Sequence, residues 1–195
     1  MDLIKHISEE ELIVAISNGE ERYFRYFVEK YKNKIYNTCL GFLRNAEDAE
    51  DTAQEVFIEV HQSINKFKKE SSLDTWLYRI ATNKSLEVIR SRKSKKRFSI
   101  LAGKDVYEQN NQPVYHLHPG IEAENKERAE ILMNAIEKLK EKQRIAFVLH
   151  KIEMLSQKEI AAIMETSVAG VESLLQRAKE NLRKMLNQYY HEDEK

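Results

Sequence analysis

The chain has 195 residues, 42% hydrophobic and 33% charged, enough apolar matter for a packed core beneath a heavily solvated surface. Only 5 Gly and 2 Pro punctuate it, so helices can run long, and an all-β fold, which needs more turn residues, is excluded. The formal net charge is zero, but it averages an acidic stretch (Glu47, Asp48, Glu50, Asp51, Glu55, Glu59) and a basic one (Arg90, Arg92, Lys93, Lys95, Lys96, Arg97), so faces of both signs are expected.

In chain order, Leu3, Ile4, Ile7, Leu12, Ile13 and Ile16 fall near helical spacing, as one or two short helices ended by Asn18-Gly19. Phe24, Phe27, Val28, Tyr31, Ile35 and Leu40 recur at steps of three and four, predicting a long amphipathic helix from Glu20 to about Leu43. Asn45 is a suitable cap for the next helix, with Glu47 and Asp48 in its electropositive first turn. That helix has a buried stripe of Ala49, Thr52, Ala53, Val56, Phe57 and Val60 and runs to about Ser63. A polar loop from Asn65 to Ser72 is broken only by Phe67. A further helix then passes through Leu73, Trp76, Leu77, Ile80, Ala81, Leu86 and Ile89 into the basic stretch, with Trp76 in register with the core stripe.

Residues 98–120 lose the periodicity, and Asn110-Asn111-Gln112-Pro113 and His118-Pro119-Gly120 are breakers. A structureless stretch that long marks a domain boundary. Helical pattern returns at Ile131, Leu132, Ala135, Ile136 and Leu139, then at Ile145, Ala146, Val148, Leu149 and Ile152. Ser156-Gln157-Lys158-Glu159 has the form of a capping box. It opens a short helix with Ile160, Ala161, Ile163 and Met164. After Glu165-Thr166-Ser167 a second helix resumes with Val168, Val171, Leu175, Ala178 and Leu182. The fold class that follows is all-α: two small helical domains joined by a flexible linker, the C-terminal one a helix-turn-helix.

Several functions are excluded. The single cysteine, Cys39, permits no internal disulfide, and His116 and His118 lack companions at zinc spacing. No glycine-rich phosphate loop or nucleophile–histidine motif occurs, so neither enzyme activity nor a cofactor is expected. Charges interrupt the N-terminal apolar stretch as they would not in a signal peptide, and no run reaches the ~18 apolar residues of a membrane helix; a cytoplasmic location is expected.

A helix-turn-helix presents the start of its second helix to base edges in the major groove, here Ser167, Ala169, Gly170, Ser173, Gln176 and Arg177, with Ser167 also placed to bind phosphate. An ordinary helical hairpin has the same spacing. The basic stretch suits single-stranded nucleic acid or a solvated helix end. The acidic residues Asp48, Asp51, Glu55 and Glu59 follow like-charge steps of three and four with no cation between, which costs helix stability unless a basic partner covers them.

Three segments together resemble the extracytoplasmic-function (ECF) sigma factors of bacterial RNA polymerase. Asp48-Ala49-Glu50-Asp51-Thr52-Ala53-Gln54-Glu55-Val56-Phe57 resembles their core-polymerase-binding segment. Phe67, with Ser71 through Asn83, resembles their segment for the minus-ten promoter element. Ser156 to Leu186 resembles their C-terminal helix-turn-helix. The resemblance implies a region 2 domain over 1–97, a linker over 98–127 and a region 4 domain over 128–195. It implies polymerase contacts at Asp48, Asp51, Gln54 and Glu55. It implies minus-ten contacts at Phe67, Lys69, Ser71, Ser72, Asn83, Lys84 and Arg90. Minus-thirty-five contacts are implied at Ser167, Ala169, Gly170, Glu172, Ser173, Gln176 and Arg177. The implied partners are bacterial RNA polymerase core, promoter DNA and an anti-sigma factor, with no small-molecule substrate.

Four positions depart from the family pattern: Glu165 replaces a turn glycine, Glu172 and Leu174 replace basic residues of the recognition helix, and Lys140 replaces a proline. Glu172 can accept from a cytosine amino group and Leu174 can touch a thymine methyl, so the promoter sequence does not transfer. The alternatives are a helix-turn-helix regulator that never joins polymerase, and a protein-binding helical adaptor.

Overall fold

The computed structural model describes residues 7–68, 70–101 and 123–192. Regular structure among them is helical throughout: α1 (Glu9–Ser17), α2 (Glu21–Leu43), α3 (Ala46–Ser63), a 3-10 turn (Ile64–Lys66), α4 (Leu73–Leu101), α5 (Ala123–Glu137), α6 (Glu141–Lys151), α7 (Gln157–Ile163) and α8 (Val168–Glu192). They form two compact units, α1–α4 and α5–α8.

The stretch expected as linker is shortened at both ends. Residues 98–101 contain no breaker, so α4 continues through Leu101, and α5 begins at Ala123 because Ala123 to Arg128 are mostly good helix formers. Residues 102–122, with His116 and His118, lie outside the described residues.

In the first unit α2, α3 and α4 pack on one another around Phe27, Ile35, Cys39, Val56, Val60, Leu73, Leu77 and Ala81, all fully enclosed. Each boundary has a local cause. Ser8 and Glu11 close a capping box on α1, and the Ser8 N–H and hydroxyl hold the Glu11 carboxyl below the usual carboxylate range. Gly19, at φ +80°, ends α1 by sending its N–H to the Ile16 carbonyl while Glu20 N–H reaches Ala15. Asn45 Oδ1 accepts from Asp48 N–H at 2.8 Å and starts α3. α1 buries Leu12, Ile13, Ala15 and Ile16 against α2 and the 3-10 turn.

In the second unit α5, α6 and α7 all pack on α8, over a core that includes Val148, Leu149, Ile160 and Val171. The predicted capping box forms: Glu159 N–H donates to Ser156 Oγ at 3.3 Å, and Ser156 N–H donates to the Glu159 carboxylate at 2.8 Å. Several stripe residues are less enclosed than the periodicity predicts. Phe57 is half-buried, while Leu132, Ile152 and Val168 are exposed, since each sits at a helix end or at the rim of the apolar arc.

Candidate functional site

α3 carries two kinds of acid. Asp48 pairs with Arg92 of α4, and Glu59 lies 3.9 Å from Lys84 of α4. Asp51, Gln54 and Glu55 project outward and make no ion pair or hydrogen bond with a described residue. The neighbouring helix therefore supplies the cations that the sequence of α3 lacks, and only the middle of the ridge stays uncompensated. A shallow cleft of about 340 Å³ between α3 and α4, bordered by Asp48, Asp51, Glu55, Lys84 and Glu87, follows that boundary. One turn beyond Asp51 and Glu55 on the same face stands Ile58, 50% exposed. Sequence reasoning passed over it; its signal was an apolar residue lying off the buried stripe.

The predicted loop residues gather at the start of α4. Phe67 is half-buried, and its ring meets the Trp76 ring at 5.2 Å between centroids. Trp76, whose register predicts core, is half-buried near the helix start, with Phe67 against it. Ser72 begins α4: its Oγ accepts from Thr75 N–H at 3.2 Å, and its carbonyl from Trp76 N–H. That explains Ser72 structurally, whatever else it touches. Trp76 and Asn83 stand two turns apart on one face of α4, about 10 Å along the axis, and Asn83 is exposed. Lys84 is rotated from that face toward Glu59, so the fold separates it from Asn83. Arg90 is exposed further along α4, and Lys69 lies outside the described residues.

In the second unit α7 ends at a left-handed residue, as a turn glycine would make it. Glu165 has φ +50°, and Thr166 N–H closes back on the Ala161 carbonyl at 2.9 Å. Ser167 caps α8, its Oγ accepting from Gly170 N–H at 3.1 Å. A Cβ on Gly170 would lie 2.9 Å from Thr166 Oγ1, so the bare glycine lets the turn close over the helix start. Ala169, Glu172, Gln176 and Arg177 are exposed, and Ser173 and Gly170 half-exposed, on the arc opposite Val171, Leu175, Ala178 and Leu182. Gln176 Nε2 donates to Glu180 at 3.1 Å, which orients its amide on that surface. Leu174 lies at the edge of the apolar arc, half-buried, and is not fully available to a thymine methyl.

Two domain models match in this order: sigma-70 region 2 over residues 27–95 and sigma-70 region 4 over residues 129–182. The ECF RNA polymerase sigma factor SigW of Bacillus subtilis is 35% identical over 176 residues, spanning 89% of this chain and 94% of that protein. The chain belongs to the ECF RNA polymerase sigma factors. As a sigma factor it binds RNA polymerase core and directs promoter-specific transcription initiation.

The RNA polymerase sigma-H factor of Pseudomonas aeruginosa is 32% identical over 187 residues, 91% of this sigma factor and 93% of that one. Among solved structures, CnrH in complex with the cytosolic domain of CnrY shares the fold at a TM-score of 0.62 and 22% identity, covering 91% of this chain and 96% of that chain. The sigma factor RpoE of Bartonella quintana, solved with the anti-sigma factor NepR, gives 0.63 at 20% identity, covering 84% and 96%. Nothing in these likenesses favours a regulator that works apart from polymerase.

Proposed function

We propose that this sigma factor docks on polymerase through the middle of α3, with Asp51, Gln54 and Glu55 as a polar rim and Ile58 as its apolar anchor. An exposed aliphatic side chain next to uncompensated carboxylates suits an interface with an apolar centre and a polar rim. The observation that carries the reading is the division along α3: Asp48 and Glu59 are occupied by α4, while the residues between them are not. Asp48 then serves chiefly to hold Arg92.

Phe67, Lys69, Ser71, Ser72 and Asn83 take a base displaced from the minus-ten element, and Arg90 tracks the phosphates. The Phe67–Trp76 pair gives that pocket an aromatic floor on which a base can stack. Opening costs a few kcal/mol of unstacking, which binding supplies; the protein performs no bond chemistry. Ser167, Ala169, Gly170, Glu172, Ser173, Gln176 and Arg177 read the minus-thirty-five element, with Glu172 accepting from a cytosine amino group. The domains divide as 1–97, 98–127 and 128–195 in function, even though helix extends into the middle stretch. An anti-sigma factor holds the protein inactive in the cytoplasm; the fold it shares with an RpoE solved in such a complex supports this.

Run-off transcription with bacterial core polymerase and a genomic promoter library tests the whole reading. New transcripts starting downstream of a shared two-part motif are expected. Absence of initiation by folded protein that still binds duplex DNA would overturn it.

A further inference from the structure

The N-terminal helix α1 touches both ends of the minus-ten loop. At the entry, its apolar face packs on the 3-10 turn Ile64–Lys66, whose Ile64 is 2% exposed and whose carbonyl receives the Phe67 N–H at 3.1 Å. At the exit, α4 begins with backbone N–H groups that have no partner within the helix. Ser72 satisfies that of Thr75. The Leu73 N–H is taken by Glu9, whose Oε1 lies 3.3 Å away across 64 residues of sequence. Glu9 is itself in the first turn of α1, fixed from below by four buried apolar residues.

The same corner holds a second tie. Asp74, the next residue of α4, pairs with Lys34 of α2 at 2.8 Å, and Lys34 lies over the rings of Tyr31 and Tyr78. The first turn of α4 is thus tied to α1 and α2 by one carboxylate each. Phe67, Ser71 and Ser72 hang between the 3-10 turn and this anchored turn. A loop that must receive a flipped base gains affinity when its ends are fixed beforehand, because less order is lost on binding.

We propose that Glu9 is a positioning residue for minus-ten recognition: α1 clamps the two ends of the loop and sets the geometry in which Phe67, Ser71 and Ser72 meet the displaced base. This gives the N-terminal segment a role in promoter opening, and it rests on the assignment of that loop to the minus-ten element. Because Glu9 is exposed and the apolar face of α1 is untouched by its replacement, the variant folds.

The test uses holoenzyme carrying the full chain and fork-junction DNA made from the strongest promoter that run-off transcription yields, single-stranded across the minus-ten element. For Glu9→Ala, affinity for the fork falls by about five- to twenty-fold, while core affinity and affinity for a minus-thirty-five duplex change by less than about two-fold. Glu9→Gln, which keeps an oxygen acceptor, recovers most of the loss. Unchanged fork affinity in Glu9→Ala, or equal losses toward core and the minus-thirty-five duplex, overturns the proposal. Phe67→Ala separates the two levels. If it weakens fork binding and Glu9→Ala does not, the clamp alone is wrong; if it has no effect, the loop assignment fails and the clamp with it.

Discussion

Asp48 and Asp51 sit one turn apart on α3, and the structure predicts opposite consequences for the same substitution. Asp51→Asn removes a charge that no described residue compensates. A hydrogen-bonded charge covered by a partner contributes about 1.5–3 kcal/mol, and the exposed rim position favours the lower end. We expect about ten-fold weaker binding to core polymerase. Asp48→Asn removes a charge already cancelled by Arg92, with side chains 30% and 38% exposed in the pair. Core affinity should change by less than about two-fold, and the fold should lose at most the ~1 kcal/mol of a surface ion pair. Fluorescence titration of labelled sigma factor with core gives both numbers, and repeating it at high salt should narrow the gap. A loss for Asp48→Asn equal to or above that for Asp51→Asn would refute the division of the ridge.

Three other outcomes follow from single features. Ile58→Ala should weaken core binding about five-fold, since about half of the ~1.5–3 kcal/mol from burying this side chain is still unrealised in the free protein, with its 50% exposure; competition against wild type measures it. Glu165→Gly should melt a few degrees higher than Glu165→Ala, because a left-handed residue with a Cβ costs about 1–2 kcal/mol and glycine returns part of that as chain entropy; equal melting points would mean that the turn relaxes. Burial, then the charges of Asp74 and Glu9, push the Tyr31 hydroxyl from 10.0 up to about 12. A folded pKa above the unfolded one gives stability that is full below pH 10 and lost as pH rises through 12, about 2–3 kcal/mol in all. Tyr31→Phe should lose less stability over that window in alkaline denaturation, and an identical slope would show that Tyr31 ionises freely in the folded chain.

The helices were legible because each is encoded locally. Asn45, Ser156 with Glu159, and Asn18-Gly19 state their boundaries within four residues, and the structure uses all three as caps. The helix-turn-helix was legible for the same reason, and Glu165, which stands in place of a turn glycine, has the left-handed backbone that a glycine there would serve. What sequence did not show depends on neighbours distant in the chain. The ridge looks uniformly acidic until Arg92 and Lys84 arrive from α4. Trp76 keeps the core period, yet it sits near a helix end, with Phe67 against it. Glu9 and Leu73 are separated by 64 residues, so no local pattern joins them. Helix runs into both ends of the expected linker, to Leu101 and from Ala123, because an absence of apolar periodicity does not by itself stop a helix.

The zero net charge fits DNA binding once its arrangement is considered. Counterion release depends on how many phosphates a local cluster of cations meets, not on the charge of the whole chain. Two of the cations of α4 are spent on α3, since Lys84 faces Glu59 and Arg92 holds Asp48. Lys93, Lys95 and Arg97 are exposed further along the same helix, past Glu87, the last acid of α4. A sigma factor built this way presents a short cationic track beside an acidic ridge. Weak binding of DNA by the free protein is expected, since Asp48, Asp51, Glu55 and Glu87 line the cleft that a phosphate would approach. Covering the ridge with a basic partner surface removes that repulsion. If the ridge docks on polymerase as proposed, engagement favours promoter contact by electrostatics, before any change of conformation is invoked.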